Sequence, residues 1–218
     1  ILGQSTCQRY KPYIYYLLPS SVSSPTILGQ STCQKYKPYI YYLDRMELGV
    51  IYFYTATILH WQKLLESDTY KLVIIESLAY LVQKQKIKVY GFVIMPNHIH
   101  LLFENTDMNG KEMPYVSFMK YTAHQFLQQL RKDDPDHLNN FKVDRNTRNY
   151  QFWQRNALPV AMYDRRIFEQ KLDYIHLNPL QQHWQLATDP NDYIYSSCSY
   201  YEREDNRFNW LSYYRDKL

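Results

Sequence analysis

The sequence predicts an α+β fold, an antiparallel sheet with helices packed on one face. Three observations point there. Runs rich in apolar, β-branched and aromatic residues at 48–58, 87–95 and 98–104 read as strands. Two of these runs are separated only by the tight turn Pro96-Asn97, so 87–104 is a β-hairpin. Segments 68–85 and 114–132 instead repeat their apolar residues at helical spacing.

The elements follow in order. The first strand, LGVIYFYTATI, ends before Ser67, a good N-cap with Asp68 in the first turn behind it. From there Tyr70, Val73, Ile74, Ser77, Leu78 and Leu81 make one face of an amphipathic helix over 68–85. The hairpin strands are IKVYGFVIM and HIHLLFE. Pro114 opens a helix to about Lys132, with Val116, Met119, Ala123, Phe126 and Leu130 on one face. Residues 133–149 are polar and read as a loop, and 150–153 as a short strand. Asp164 caps a further helix that runs to about Asn178, where Pro179 follows. The Tyr-rich segments 191–201 and 208–216 read as short helices.

Composition narrows the function classes. With 218 residues, 45% hydrophobic and 21% charged, the chain reads as an ordinary globular protein with a sizeable core. No apolar run approaches the ~18 residues of a membrane helix. No secretory signal is visible, and Cys7, Cys33 and Cys198 supply neither a disulfide framework nor a CxxC motif. A reducing, cytoplasmic setting is therefore expected. With only 5 glycines, the Gly-rich phosphate loops of nucleotide-binding folds are absent. The formal charge of +4 is confined to residues 1–45, where Arg9, Lys11, Lys35, Lys37 and Arg45 face Asp44 alone. Residues 46–218 are neutral overall, so any nucleic-acid reading rests on local sites.

Residues 1–45 contain a tandem repeat. ILGQSTCQRYKPYIYYL at 1–17 returns at 27–43 with a single change, Arg9 to Lys35. Solenoid repeats diverge outside their core positions and need about three copies to bury a face. Two near-identical copies joined by a Pro/Ser segment do neither. One reading makes the paired Lys-Tyr-Lys-Pro-Tyr segments an arm that stacks on single-stranded nucleic acid. The favoured reading is a recent duplication upstream of the true start, because Met46 is the first methionine and a normal strand pattern begins straight after it. The expectation is a leader at 1–45, disordered or poorly packed, ahead of one domain at 46–218 that carries a C-terminal helical extension.

Two clusters carry chemistry. His98 and His100 lie at i and i+2 of a strand, so they share a face at about 7 Å and suit one divalent metal ion. Alone, HxH is a weak signal, read more readily as two unrelated surface histidines. In DYIHLNP at 173–179, Tyr174 and Asn178 are i and i+4 on one helix face, while His176 turns about 200° away. A phenol is a weak nucleophile that becomes useful where a metal polarises a phosphate, and an Asn carbonyl is a hard ligand for Mg²⁺ or Mn²⁺. Both roles require this helix to cross the face bearing the histidines. With 24 tyrosines in the chain, a half-buried structural tyrosine is the competing reading of Tyr174.

Taken together, PNHIHLLFE after an apolar strand, FWQ at 152–154 and DYIHLNP downstream resemble the single-tyrosine transposases of the HUH endonuclease class, and most nearly the REP-associated tyrosine transposases. Met95 to Leu102 matches the family's metal-binding hairpin, with isoleucine between the histidines as the class requires. The resemblance spans about 46–200. It implies a ferredoxin/RRM-like antiparallel sheet with HxH on a central strand. It implies Tyr174 as catalytic nucleophile and His98, His100 and Asn178 as ligands of Mg²⁺ or Mn²⁺. The activity implied is cleavage and rejoining of single-stranded DNA at hairpin-forming repeats through a 5′-phosphotyrosine link, in a cytoplasmic, nucleoid-associated protein. Trp153, Gln154, Arg155 and Lys120 are candidate DNA contacts, with Trp153 alternatively filling the core and Lys120 alternatively on a solvated face. Two rivals remain at this stage, a repeat-DNA-binding protein without turnover and a metal phosphodiesterase that uses water. Neither a monomer nor a homodimer is favoured.

Overall fold

In the computed structural model, which describes residues 46–145, 148–155, 157 and 159–218, the chain runs through β1 (Ile51–Thr57), α1 (Asp68–Gln83), β2 (Ile87–Met95), β3 (His98–Asn105), α2 (Pro114–Asp133), α3 (Pro135–Leu138), β4 (Lys142–Arg145), β5 (Arg148–Tyr150), β6 (Val160–Met162), α4 (Arg165–Leu177) and α5 (Cys198–Glu202). The expected leader at 1–45 lies outside the described residues. The main sheet has the order β2-β3-β1-β6 and is antiparallel throughout, so the chain is α+β as the sequence predicts.

Alternation along the strands makes two faces. Ile99, Leu101 and Phe103 of β3 join Tyr52, Tyr54 and Ala56 of β1 in a core shared with Ile74 and Leu78 of α1 and Phe118, Phe126 and Leu130 of α2. On the other face Ile51 and Phe53 of β1, Tyr90 and Val93 of β2, and Leu102 of β3 pack against Phe168, Leu172 and Ile175 of α4. The expectation of helices on one face is thus corrected: α1 and α2 cover one side and α4 the other. Periodicity identifies the apolar stripe of α4, but the face it lands on depends on the path through β6, a three-residue edge strand too short to read from sequence.

Two local features let α4 lie close. A β-bulge interrupts the β2–β3 register between Val89 and Gly91. A Cβ on Gly91 would stand 2.6 Å from Leu172 Cδ1 and 3.2 Å from Ile175 Cδ1, so any larger residue there would make the α4 side chains shift. The Tyr-rich C-terminal segment covers the outer edge of β2. Ser197 and Ser212 donate backbone N–H groups to Phe92 and Val89, and the hydroxyls of Tyr193 and Tyr201 donate to the carbonyls of Ile94 and Tyr90. This edge is therefore paired rather than left as a template for association. The segment is helical only at α5 and in short 3-10 turns, less than the sequence predicts.

The expected loop at 133–149 contains α3 and a separate two-stranded hairpin, β4–β5. Its strands carry no apolar alternation, which is why the pattern hid them. The strand expected at 150–153 ends at Tyr150, with only an isolated bridge between Ile58 and Trp153 beyond it.

Candidate functional site at the β3–α4 junction

The two-residue turn Pro96-Asn97 closes the hairpin with Met95 paired to His98. Its carbonyls accept from neighbouring backbone, Asn97 from Ile58 at 2.8 Å and Pro96 from Leu65 at 2.9 Å, so the turn is held from both sides. His98 and His100 follow on central strand β3 and face α4, their rings 4.7 Å apart between centroids. Both are buried, at 8% and 5% exposure.

Each imidazole is oriented through Nδ1. His98 Nδ1 lies 2.7 Å from Asn97 Oδ1, an oxygen that only accepts, so the proton sits on Nδ1 and the Nε2 lone pair is free. His100 Nδ1 lies 2.7 Å from Thr55 Oγ1 on β1, the strand partner set by register. His100 Nε2 is buried without a hydrogen-bond partner. A second contact that orients the ring while the far nitrogen stays bare is the usual support of a metal-binding histidine. Burial lowers the pKa of His98 to about 4, with His183 contributing. Burial likewise holds His100 well below its ordinary value, with positive charge from His98 and Lys171 adding to the effect. At neutral pH both rings are therefore neutral, the form that binds metal.

α4 begins at Asp164, whose side chain accepts from the Ile167 amide at 3.0 Å, the cap read from the sequence. Its last turns bring Tyr174 over the histidines: the Tyr174 ring stands edge-on to His100 at 5.3 Å and to Phe53 at 6.2 Å. Asn178, 2% exposed, follows at the end of the helix with its side chain in hydrogen-bonding reach of the Tyr174 hydroxyl. That contact favours the phenolate. Burial nevertheless outweighs it and raises the Tyr174 pKa above 10, so the phenol is protonated at neutral pH. Tyr174 remains 44% exposed, open to a large substrate.

His176 turns away as the helix geometry requires. Its Nε2 meets Ser197 Oγ at 2.8 Å, and Ser197 in turn bonds the backbone of Phe92 on β2. It ties α4 to the C-terminal segment.

The candidate DNA contacts separate. Trp153 is 7% exposed, packs on Phe126 and donates from Nε1 to Thr122 Oγ1 at 3.0 Å, so it fills the core and leaves no ring face for a base. Lys120, on α2, pairs with Glu112 in the segment before that helix, and α2 lies on the opposite side of the sheet from α4. Gln154 bonds the end of β1 through its backbone N–H to Thr57, the residue paired with His98. Arg155 follows, exposed, at this end of the sheet. Sequence reasoning missed Phe53, Thr55, Lys171 and Trp184, which surround the histidines and Tyr174. Strand register and helix placement bring them there, and neither leaves a local signal.

Among the described residues no three His, Cys, Asp or Glu side chains cluster as metal ligands. A divalent ion on the two histidines would need a further donor, for which the Asn178 carbonyl is the candidate, and the orphaned Nε2 of His100 is the feature that such an ion would satisfy.

No protein-family model matches the sequence, and no curated protein matches it. Among solved structures, the fold is similar to a REP-associated tyrosine transposase bound to a REP hairpin, with a TM-score of 0.50 at 15% identity over 77% of this chain and 86% of that one. That likeness is one of fold. The tRNA(His) guanylyltransferase of Saccharomyces cerevisiae is more distant, with a TM-score of 0.38 at 10% identity over 65% of each chain.

Proposed function

We propose that this protein is a metal-dependent DNA-processing enzyme that nicks and rejoins single-stranded DNA at hairpin-forming repeats, with Tyr174 as nucleophile. One observation carries the reading. Helix α4 crosses the sheet face that bears His98 and His100 and sets the Tyr174 ring 5.3 Å from His100, the placement a shared site demands. The fold likeness to a hairpin-bound transposase agrees with it.

His98 Nε2, His100 Nε2 and the Asn178 carbonyl oxygen would hold Mg²⁺ or Mn²⁺, which supplies polarisation of the scissile phosphate and offsets charge in the transition state. Tyr174 Oη attacks phosphorus, the P–O3′ bond breaks, and the phenol proton ends on the departing 3′ oxygen. The upstream segment leaves with a 3′-OH, and the downstream segment is left linked to Tyr174 through its 5′ phosphate. A second 3′-OH reverses the step and rejoins the strand, and the phosphotyrosine conserves the energy of the diester, so no nucleotide is consumed. Asn178 orients the Tyr174 hydroxyl through its amide. Thr55 and Asn97 hold the two imidazoles in register.

The test is a covalent adduct. Wild-type protein with Mn²⁺ and a labelled pool of hairpin-bearing single-stranded oligonucleotides should give a protein–DNA band on a denaturing gel. Tyr174→Phe removes one hydroxyl from a half-exposed ring, so the fold should persist while adduct and cleavage vanish. Cleavage by wild type with no adduct would transfer the reading to a water-using phosphodiesterase. Binding with no cleavage would leave a hairpin-binding protein.

A further inference from the structure

The site formed by His98, His100, Tyr174 and Asn178 contains no carboxylate among its named donors, and a cation, Lys171, stands beside it. Lys171 lies one turn before Tyr174 on α4. Its Nζ stands 5.1 Å from the centroid of the Phe53 ring and 5.8 Å from that of Tyr174. Among the described residues Lys71, Lys86, Lys120 and Lys217 each reach a carboxylate, and Lys171 is among the lysines that do not. It rests on two aromatic faces, one of them the ring of the nucleophile itself.

An ammonium without a counter-ion beside a nucleophile is set for an anion. The Tyr174 ring on which Lys171 rests stands 5.3 Å from His100, so this charge lies near the proposed metal ligands and repels a divalent cation; the site binds metal and phosphate best when both are present. We propose that Lys171 is a catalytic residue that holds a non-bridging oxygen of the scissile phosphate and stabilises the charge that grows there as Tyr174 attacks. Lys171 forms and breaks no covalent bond and carries no proton through the step. The inference rests on the reading of Tyr174 as nucleophile and adds the anion-binding half of that site.

Lys171→Met keeps the stem that covers Phe53 and Tyr174 and removes the charge, and its fold is checked by thermal melting. Three readouts follow, all on the full chain. Single-turnover adduct formation on the oligonucleotide pool should fall on the order of 100-fold, the usual loss on removing one preorganised charge-stabilising donor. Metal-free binding of the same oligonucleotides should lose about 0.7 from the slope of log affinity against log salt, one phosphate contact on a single strand. Mn²⁺ binding to the DNA-free protein should tighten on the order of threefold, because a like charge has gone. A packing role for Lys171 would not move the last two in these directions. Lys171→Arg should keep the salt slope. A wild type that forms adduct beside a Lys171→Met variant that forms it equally fast would overturn the Lys171 proposal alone. A wild type that forms no adduct would overturn the nucleophile and Lys171 with it.

Discussion

Along β3 the odd and even side chains go to opposite faces of one sheet, and the two faces are built from different chemistry. Towards α1 and α2 stand Ile99, Leu101 and Phe103, in a continuous core that includes Phe118, Phe126, Phe152 and Trp153. Towards α4 stand His98, His100 and Glu104 around Leu102, all of them buried. Glu104 is satisfied, by the Tyr90 hydroxyl at 2.8 Å and Lys217 at 3.1 Å. His100 is not: leaving its Nε2 buried without a partner costs about 1–3 kcal/mol. One face contributes stability, and the other gives some of it up at the place where a metal and a phosphate would supply the missing partners. The difference teaches where to look in such a sheet: polar groups on a central strand, oriented from behind and bare in front, mark the working face.

Neighbouring residues give the sharpest contrast. His98→Ala should abolish Mg²⁺- or Mn²⁺-dependent cleavage, a loss on the order of 1,000-fold or more, while hairpin affinity stays within a few-fold, because affinity comes from other phosphate and base contacts. Leu101→Ala, on the same strand but facing the other way, should lower unfolding free energy by about 2–5 kcal/mol in urea titrations and leave metal affinity of the folded protein unchanged. Full cleavage by the His98 variant would remove the metal assignment. An unstable His98 variant beside a stable Leu101 variant would reverse the roles given to the two faces.

Acid should act through the α4 face. His98 and His176 have folded pKa values of about 4, against an ordinary 6.5, because burial penalises their charged forms. Below pH ~6.5 the unfolded chain takes up protons that the folded one refuses, so stability present at neutral pH is lost as pH falls from about 6.5 towards 4. Each histidine contributes about 1.4 kcal/mol per pH unit across that window. Urea unfolding at pH 7, 6 and 5 measures it, and His176→Gln should flatten the slope by one group's share. Equal stability at pH 7 and pH 5 would mean that the histidines are not buried as neutral rings.

The smallest effect belongs to Lys120. Its pair with Glu112 is exposed and lies on the α2 side, so Lys120→Ala should shift stability by less than about 1 kcal/mol and leave DNA affinity and cleavage at wild-type level. A drop in DNA affinity would extend the working surface to the face assigned here to stability alone.

Much of this division is legible in the chain. HxH after a tight turn places two imidazoles on one strand face, and the i, i+4 spacing of Tyr174 and Asn178 places phenol and amide on one helix face. Both follow from fixed local periods. What local periods cannot supply is the choice of face. Nothing in the segment 165–177 says that its stripe packs on the side of the sheet away from α1 and α2, and that choice brings Tyr174 to His100. Thr55 and Phe53 enter through the antiparallel register of β1 on β3, which is set by the whole sheet. For Trp153 the sequence favours core over a stacking platform, and the partner that fixes it there, the Thr122 hydroxyl on α2, leaves no local signal. The polar hairpin β4–β5 lacked the alternation that reveals a strand.

The central claim is that the α4 face does its chemistry through Tyr174. Nuclease and protease digestion of the covalent complex, followed by mass spectrometry, locates the residue that carries the nucleotide. The account predicts phosphonucleotide on the peptide containing Tyr174 and on no other tyrosine. Modification at Tyr163, Tyr193 or any other phenol would contradict it.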